Sequence, residues 1–431
     1  MSDAPAIAFV TLGCPKNEVD SDRMAASIAS SAYRLTGDVH DADVVVLNTC
    51  AFIQPATEEA IAEAFDLITH WRPLKDGRRM VIAGCLVSRY ADELVSAMPE
   101  ADAFVSVADE PGLLGVLEAL TGVTAAARPG PTRTRPGTTA YLKVSEGCDR
   151  RCAYCTIPSI RGPFVSADPA SVLAEARALG ADGARELVLV GQDIARYGHD
   201  LSSATTLADL ISELDALEGD FRIRLMYLQP DGVTDRLLQA IAASSRVCRY
   251  LDIPLQHAAA PVLRAMKRSG DAERHLQMLQ RVRSALPGVT LRTTVMAGFP
   301  GETDADAAEL ETFLGEAGFD YAGVFQYSAE EGTAAATLPG QVPADVAAER
   351  AQRLRDIADA VGFSKAAARV GTVERVLVEG VDEDGETWGR SCAQAPEIDG
   401  ITFLEADAPA GSILDVLITE SVGHDLVGVA Q

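Results

Sequence analysis

Positive charge is scarce in this chain. Its 37 lysines and arginines stand against 63 aspartates and glutamates, a formal net charge of −26. So acidic a surface disfavours non-specific attachment to nucleic acid or to anionic membrane, unless a local basic patch overrides it. Long apolar runs are missing too. No stretch approaches the roughly 20 residues that span a bilayer, and the opening MSDAPAIAFV has neither the basic start nor the apolar core of a signal peptide. No internal repeat and no low-complexity tract appears. These absences predict a cytoplasmic globular protein with no membrane partner. At 431 residues it is too long for one compact core, so about two to four domains are expected. Its eight cysteines are read as thiols, some with chemistry, rather than as a disulfide framework.

What is present falls into three textures. The first third alternates strands and helices. AIAFVTLGC, DVVVLNTC and RMVIAGC read as apolar strands ending at Cys14, Cys50 and Cys85, and helical patterns follow each. That alternation predicts an α/β fold with a parallel sheet. In open parallel sheets the ligand site lies beyond the carboxyl ends of the strands. All three cysteines occupy that rim, at regular separations of 36 and 35 residues. A single cysteine there would be read as a small buried hydrophobe; three predict a site. The segment VTAAARPGPTRTRPGTT is rich in Pro, Gly and Thr and has no acidic residue, which is linker composition. Its Arg128, Arg133 and Arg135 are read as solvated linker charges rather than an RNA contact.

A second alternation follows. YLKVSEGC, ELVLVGQD, RIRLMYLQ, YLDIPLQH, LRTTVMAGF and DYAGVFQYS are strand candidates separated by helical stretches, and a long helix is expected over 343–368. Such units predict a barrel or partial (β/α) barrel with its active site at the carboxyl ends of the strands. The last part changes again. RVGTVERVLVEGVDEDGETWGRSC alternates apolar and polar residues around a turn at DEDG, the pattern of a small all-β barrel.

The densest chemistry lies in CDRRCAYC. Cys148, Cys152 and Cys155 are spaced C-x3-C-x2-C, with no fourth cysteine nearby. Soft thiolates select zinc or iron–sulfur clusters. A structural zinc normally takes four ligands, and three leave one metal position open. A disulfide-exchange reading of CAYC leaves Cys148 unexplained.

SEGCDRRCAYCTIPSIRG resembles the cluster loop of radical S-adenosylmethionine enzymes, most of all the methylthiotransferase branch. TLGCPKNEVDSDRM, NTCAFI, AGCL, YLDIPLQHA, MAGFPGET and FQYSAEEGT are similar to the same branch, so the resemblance covers nearly the whole chain. The C-terminal barrel resembles a TRAM domain. The resemblance implies an N-terminal methylthiotransferase domain over 5–120, a linker over 121–139, a radical S-adenosylmethionine core over 140–366 and a TRAM domain over 367–431. It also implies two 4Fe-4S clusters. Cys148, Cys152 and Cys155 would hold the one whose open iron chelates S-adenosylmethionine, and reduction would generate a deoxyadenosyl radical. Cluster potentials span roughly −700 to +450 mV, and this one must be held low. Tyr154 fits the aromatic position before the last cysteine and also suits loop packing. Cys14, Cys50 and Cys85 would hold a second cluster carrying the sulfur that becomes the methylthio group. Pro15 is placed to begin a helix after Cys14, whose N-terminus favours a thiolate. One S-adenosylmethionine would methylate the sulfur, and a second would generate the radical that abstracts hydrogen from an aspartate β-carbon, where the methylthio group is transferred.

Other assignments follow the strand ends. Gln192 and Asp193 in VGQD align with the second-strand motif that often reads Gly-Gly-Glu in the superfamily; here the acid is displaced. With Gly298 and Gly301 of GFPGET they are the candidate S-adenosylmethionine contacts, the two glycines equally suiting a turn before a helix. Gln256 and His257 are placed at a strand end near the cavity, His257 more as a rim or core residue than as a ligand. Cys248 and Cys392 have no partner in spacing and are read as structural.

Three substrate readings remain. LGCPKNEVDS is similar to the members that modify an aspartate of the S-twelve ribosomal protein, whereas tRNA-modifying members tend to carry Gln-Met or similar after the first cysteine. The alternatives are a tRNA methylthiotransferase acting on an adenosine beside the anticodon, and a non-catalytic, metal-stabilised RNA-binding protein. From residue 366 onward thirteen acidic residues face three basic ones, Arg369, Arg375 and Arg390. A binder making about 6–10 phosphate contacts needs a comparable set of cations, so direct tRNA binding is not expected. The expected partners are the S-twelve protein, free or in the small subunit, a low-potential electron donor and a sulfur source.

Overall fold

The computed structural model of the chain describes residues 4–124, 133 and 137–431. By its contacts the chain divides into two compact units. One comprises the first 136 residues with 146–150 and 155–165; the other comprises 137–145, 151–154 and 166–431.

The first unit is built on a sheet of β1 (Ala6–Thr11), β2 (Arg34–Leu35), β3 (Val44–Thr49), β4 (Arg79–Gly84) and β5 (Ala103–Ser106), in the order β2-β1-β3-β4-β5. Every pairing is parallel. The helices are α1 (Pro15–Ala29), α2 (Gln54–Asp66), α3 (Cys85–Ala97) and α4 (Leu113–Thr121). Successive strand residues point to opposite faces. Val45 and Leu47 pack with Ala60 and Ala64 of α2 and Leu86 and Leu94 of α3. Val44 and Val46 pack with Met24 and Ile28 of α1 and Leu113 and Leu117 of α4. Both faces are therefore covered, which is why β3 reads as an unbroken apolar run. The strands end sooner than the sequence suggests. Gly13 and Gly84 adopt φ of +102° and +90°, so β1 and β4 stop before their cysteines. Cys14 becomes the extended residue that starts α1, with Pro15 at its first position, and Cys85 is the first residue of α3.

The second unit carries six parallel strands paired strictly in chain order: Thr139–Lys143, Glu186–Val190, Arg222–Leu225, Val247–Asp252, Thr290–Ala297 and Tyr321–Gln326. They form an open sheet, the expected partial barrel. The helix expected over 343–368 spans Ala344–Ala367. YLDIPLQH departs from expectation: its strand ends at Asp252, and Gln256 makes only an isolated bridge to Val295. Pro254 has no N–H for a ladder, and Gln256 itself has φ +73°. The C-terminal strands Val373–Val381, Thr387–Ser391, Thr402–Leu404, Ile413–Val422 and Asp425–Ala430 close into a barrel around Val376, Val378, Val416, Ile418 and Leu426. Among the described residues no helix is long and apolar enough to cross a membrane.

This acidic chain uses arginine inside. Glu186, fully buried at the start of its strand, accepts from Arg224 Nε at 2.6 Å, from Arg222, and from Arg390 of the barrel at 3.3 Å. Burial opposes ionisation of Glu186, but Arg224, Arg222 and Arg390 outweigh it and hold the carboxyl well below the usual carboxylate range. Arg133 is likewise not a solvated linker charge: it is buried and pairs with Asp22 at 3.1 Å. Arg128 and Arg135 lie outside the described residues.

Glu186→Gln leaves the buried guanidiniums of Arg222 and Arg224 without their carboxylate, while Arg390 keeps Glu379. It is expected to cost about 3–5 kcal/mol, a fall of roughly ten degrees in Tm, read by thermal denaturation at neutral pH. A folded-state pKa below the unfolded one means this contribution is complete above about pH 4.3 and fades as pH falls through the folded-state value. The gap between wild type and variant should therefore narrow in acid.

Candidate metal centre

β1, β3 and β4 are neighbours in the sheet, and their carboxyl ends deliver Cys14, Cys50 and Cys85 to one edge. Cys50 and Cys85 are buried and Cys14 is half-buried. The approach of Cys50 is allowed by Gly13: a Cβ there would stand 2.5 Å from Cys50 Cβ and 3.2 Å from its sulfur, so only glycine fits this left-handed turn.

Asn17, in the first turn of α1, organises the thiols. Its Oδ1 lies 3.8 Å from both Cys14 Sγ and Cys85 Sγ. Its amide nitrogen donates to Leu12 O at 3.0 Å and to Thr49 O at 2.9 Å, which fixes the direction of the oxygen. That oxygen also accepts from Arg161 Nη2 at 2.6 Å. The Arg161 side chain is only 2% exposed, and its Nη1 pairs with Asp20 at 3.0 Å and Glu146 at 3.1 Å. Burial pushes the Cys85 thiol up to about 12, against the opposing charge of Arg161. Burial raises the Cys50 thiol as well, while the Phe52 N–H and Arg161 oppose it. An isolated thiol here keeps its proton. A bound cation reverses that preference, because it is the thiolate that ligates metal. Neither Asn17 nor Arg161 was singled out from the sequence, although both lie inside quoted motifs.

In the CDRRCAYC loop, Cys148 N–H donates to Gly162 O at 3.1 Å. Gly147 precedes it with φ +67°, where a Cβ would stand 2.0 Å from Pro163 O. Ala153 donates to Met266 O at 3.0 Å and accepts from Ala335 N–H at 2.8 Å. Tyr154 meets Phe299 edge-on, with centroids 6.5 Å apart. Cys152 Sγ faces Arg268 Nη1 at 4.0 Å, and Arg268 is anchored through Nη2 on Pro254 O at 2.7 Å. All three loop cysteines are half-buried. Among the described residues no three His, Cys, Asp or Glu side chains are gathered as a ready metal-ion site.

The remaining candidates separate. Gln192 and Asp193 follow the strand Glu186–Val190, Asp193 fully buried. Gly298 has φ +79°, its N–H donates to Glu302 Oε2 at 2.9 Å, and a Cβ would strike Ala347. Gly301 N–H donates to Gly340 O at 2.8 Å. The turn itself thus employs both glycines. His257 is fully buried, accepts from Ala259 N–H at 2.9 Å and faces Glu302 at 3.4 Å. It is a core histidine held through Nδ1, and its buried Nε2 makes no hydrogen bond.

A parallel sheet with a thiol-lined edge, a three-cysteine loop, an open six-stranded α/β sheet and a closed C-terminal barrel together define a radical S-adenosylmethionine enzyme architecture. The segments match accordingly: residues 6–106 match Uncharacterized protein family UPF0004, 142–314 the Radical SAM superfamily and 370–430 the TRAM domain. The chain is 42% identical, over 98% of both chains, to the ribosomal protein uS12 methylthiotransferase RimO of Geobacter sulfurreducens. It is 45% identical to the protein of that name from Desulforudis audaxviator, over 99% of this chain and 97% of the other. Among solved structures, the radical S-adenosylmethionine methyltransferase TsrM of Kitasatospora setae aligns with a TM-score of 0.58 at 16% identity, over 87% of this chain and 81% of that one; this likeness concerns the fold. The chain belongs to the RimO family of radical SAM methylthiotransferases.

Asn17→Ala removes the group shared by two thiols and leaves Leu12 O and Thr49 O without their donor. It is expected to cost about 1–3 kcal/mol. In metal-free protein Cys85 should also be alkylated about tenfold faster, since a local opening eased by about 1.4 kcal/mol is tenfold more populated. Quantitative peptide mapping of iodoacetamide labelling reads this out.

Proposed function

We propose that this chain transfers a methylthio group to the β-carbon of an aspartate in ribosomal protein uS12. It would draw on two S-adenosylmethionine molecules and on two 4Fe-4S clusters, held by Cys14, Cys50 and Cys85 and by Cys148, Cys152 and Cys155. The observation that carries this reading is the delivery of three cysteines to one sheet edge, two of them sharing Asn17 Oδ1, in addition to the three-cysteine loop, in a chain aligned nearly end to end with relatives named for uS12 methylthiolation.

The donor sets fit the groups. Each supplies three soft ligands and leaves one iron of a cubane without a protein ligand. When bound, the clusters and S-adenosylmethionine supply the electron, the methyl group and the transferred sulfur. The chain's own residues then orient and protect. Asn17 and Arg161 set the direction of Cys14 and Cys85 and offset the charge of thiolates with water excluded. Arg268 plays the same part beside Cys152. Tyr154 and Phe299 brace the loop. Gln192 and Asp193 are assigned to the polar end of S-adenosylmethionine. Gly298 and Gly301 serve it by shaping the turn, since their N–H groups are already used.

The acidic C-terminal barrel suits a basic ribosomal protein and repels RNA phosphates. This favours uS12, free or within the small subunit, over tRNA, and a ribosomal substrate goes with a reaction in the cytoplasm. The chemistry also calls for a low-potential electron donor and a sulfur source.

Anaerobically reconstituted protein is expected to hold about eight irons, four for each cubane, and Cys14→Ala about half of that, by iron and sulfide analysis. A full iron count in Cys14→Ala would remove the second cluster from the reading. Supplied with S-adenosylmethionine, reductant and sulfide, the enzyme should add one methylthio group to uS12 and none to unmodified tRNA, by mass spectrometry. Addition to tRNA alone would overturn the substrate assignment.

A further inference from the structure

Two cysteines take no part in the proposed centres. Cys248 lies in the strand Val247–Asp252, 1% exposed, and Cys392 follows the barrel strand Thr387–Ser391, half-buried. Separated by 144 residues, they have no signature in sequence, yet the Cys248 thiol donates to Cys392 Sγ at 2.9 Å. The backbone around Cys392 is pinned. Three consecutive carbonyls, of Arg390, Ser391 and Cys392, accept from Arg222 Nη2 at 3.0 Å and from Arg224 Nη2 and Nη1 at 3.2 and 2.9 Å. Both arginines come from Arg222–Leu225, the strand paired in parallel with that of Cys248. Each sulfur is thus held against the other by a rigid frame, in one compact unit.

We propose that Cys248 and Cys392 form a reversible disulfide that ties the C-terminal barrel to the central sheet under oxidising conditions. The sulfurs need only approach by about 0.9 Å to reach the ~2.05 Å of a disulfide. The environment also divides the roles. The Cys248 thiol, with Arg222 and Arg224 beside it, holds Cys392 below the ordinary thiol range, while burial keeps Cys248 protonated. Cys392 is the more accessible sulfur and the attacking thiolate; Cys248 is the resolving thiol.

The oxidant is a hydroperoxide. Cys392 thiolate attacks the terminal oxygen, the O–O bond breaks, and the leaving alkoxide or hydroxide takes a proton from water. Cys392 is left as a sulfenic acid. Cys248 sulfur then attacks Cys392 sulfur, the S–S bond forms, and the sulfenic hydroxyl departs as water with the Cys248 proton. Two thiols lose two electrons and the peroxide gains them. Thiol reductants reverse the bond by exchange.

The test uses full-length, cluster-loaded protein, prepared anaerobically and exposed to a few equivalents of hydrogen peroxide, then alkylated under denaturing conditions and digested. Tandem mass spectrometry should find a peptide joining Cys248 to Cys392 that dithiothreitol releases. Cys392→Ser and Cys248→Ser should each abolish it. The oxidised wild type should melt several degrees higher than after reduction, and neither variant should show that shift. Should Cys248→Ser, at a buried position, fail to fold, Cys392→Ser, at a half-buried one, keeps the comparison intact. Recovery of both cysteines singly alkylated, pairing of either with another cysteine, or a Cys392 that proceeds to sulfinic acid without cross-linking would each overturn the proposal.

Discussion

The thiol-lined edge of the first unit depends on the parallel register of three strands. Thr11 lies opposite Asn48, and Asn48 opposite Ala83. Cys50 and Cys85 each come two residues beyond that line and Cys14 three. A slip of one residue would turn each strand's buried side chains to the other face. With both faces packed, the register is fixed by the core rather than by the cysteines. The strand ends that carry the cysteines are thus aligned by apolar contacts such as Val45 and Leu47 against α2 and α3. What the site adds is a pair of left-handed glycines and one asparagine to bring the sulfurs together.

Much of this was legible in the sequence because the relevant signals are local. Strand–helix alternation and a proline after a cysteine are short-range patterns with direct backbone consequences, whereas the glycines before Cys14 and Cys85 were passed over and the strands stop short there. Those patterns located the sheet, the edge and the three textures of the chain. What escaped is non-local. Asn17 reads as an ordinary helical residue until Arg161, 144 positions away, is found on its oxygen. Arg133 sits in a stretch with linker composition, yet a carboxylate 111 positions earlier buries it. Gln256 looked like the end of a strand because nothing in YLDIPLQH announces its left-handed backbone, and the proline two residues earlier was the only available hint. Gly298 and Gly301 sat in a motif that suits either a ligand or a turn, and only their hydrogen-bond partners show how much of that motif the turn accounts for.

Buried charge of both signs is present, and the arginines inside are matched by acceptors. The exterior is acidic, while Arg133, Arg161, Arg222, Arg224, Arg350 and Arg390 are buried. Guanidinium suits this role because its fork satisfies several acceptors at once: Arg161 binds an amide and two carboxylates, and Arg224 a carboxylate and two carbonyls.

The bond between Glu186 and Arg390 bears on how such chains can be recombined. Small β-barrels are often treated as interchangeable modules, cut at a linker and fused elsewhere. Here Arg390 of the barrel shares its charge between Glu379 of the barrel and Glu186 of the sheet, and Arg222 and Arg224 of the sheet, neutralised by Glu186, cap carbonyls of the barrel. A barrel grafted from a relative would bury a mismatched charge unless the sheet residues at 186, 222 and 224 travelled with it. The unit of exchange is the sheet together with its barrel, and a chimera joined between residues 366 and 370 cuts through an electrostatic seam rather than a hinge.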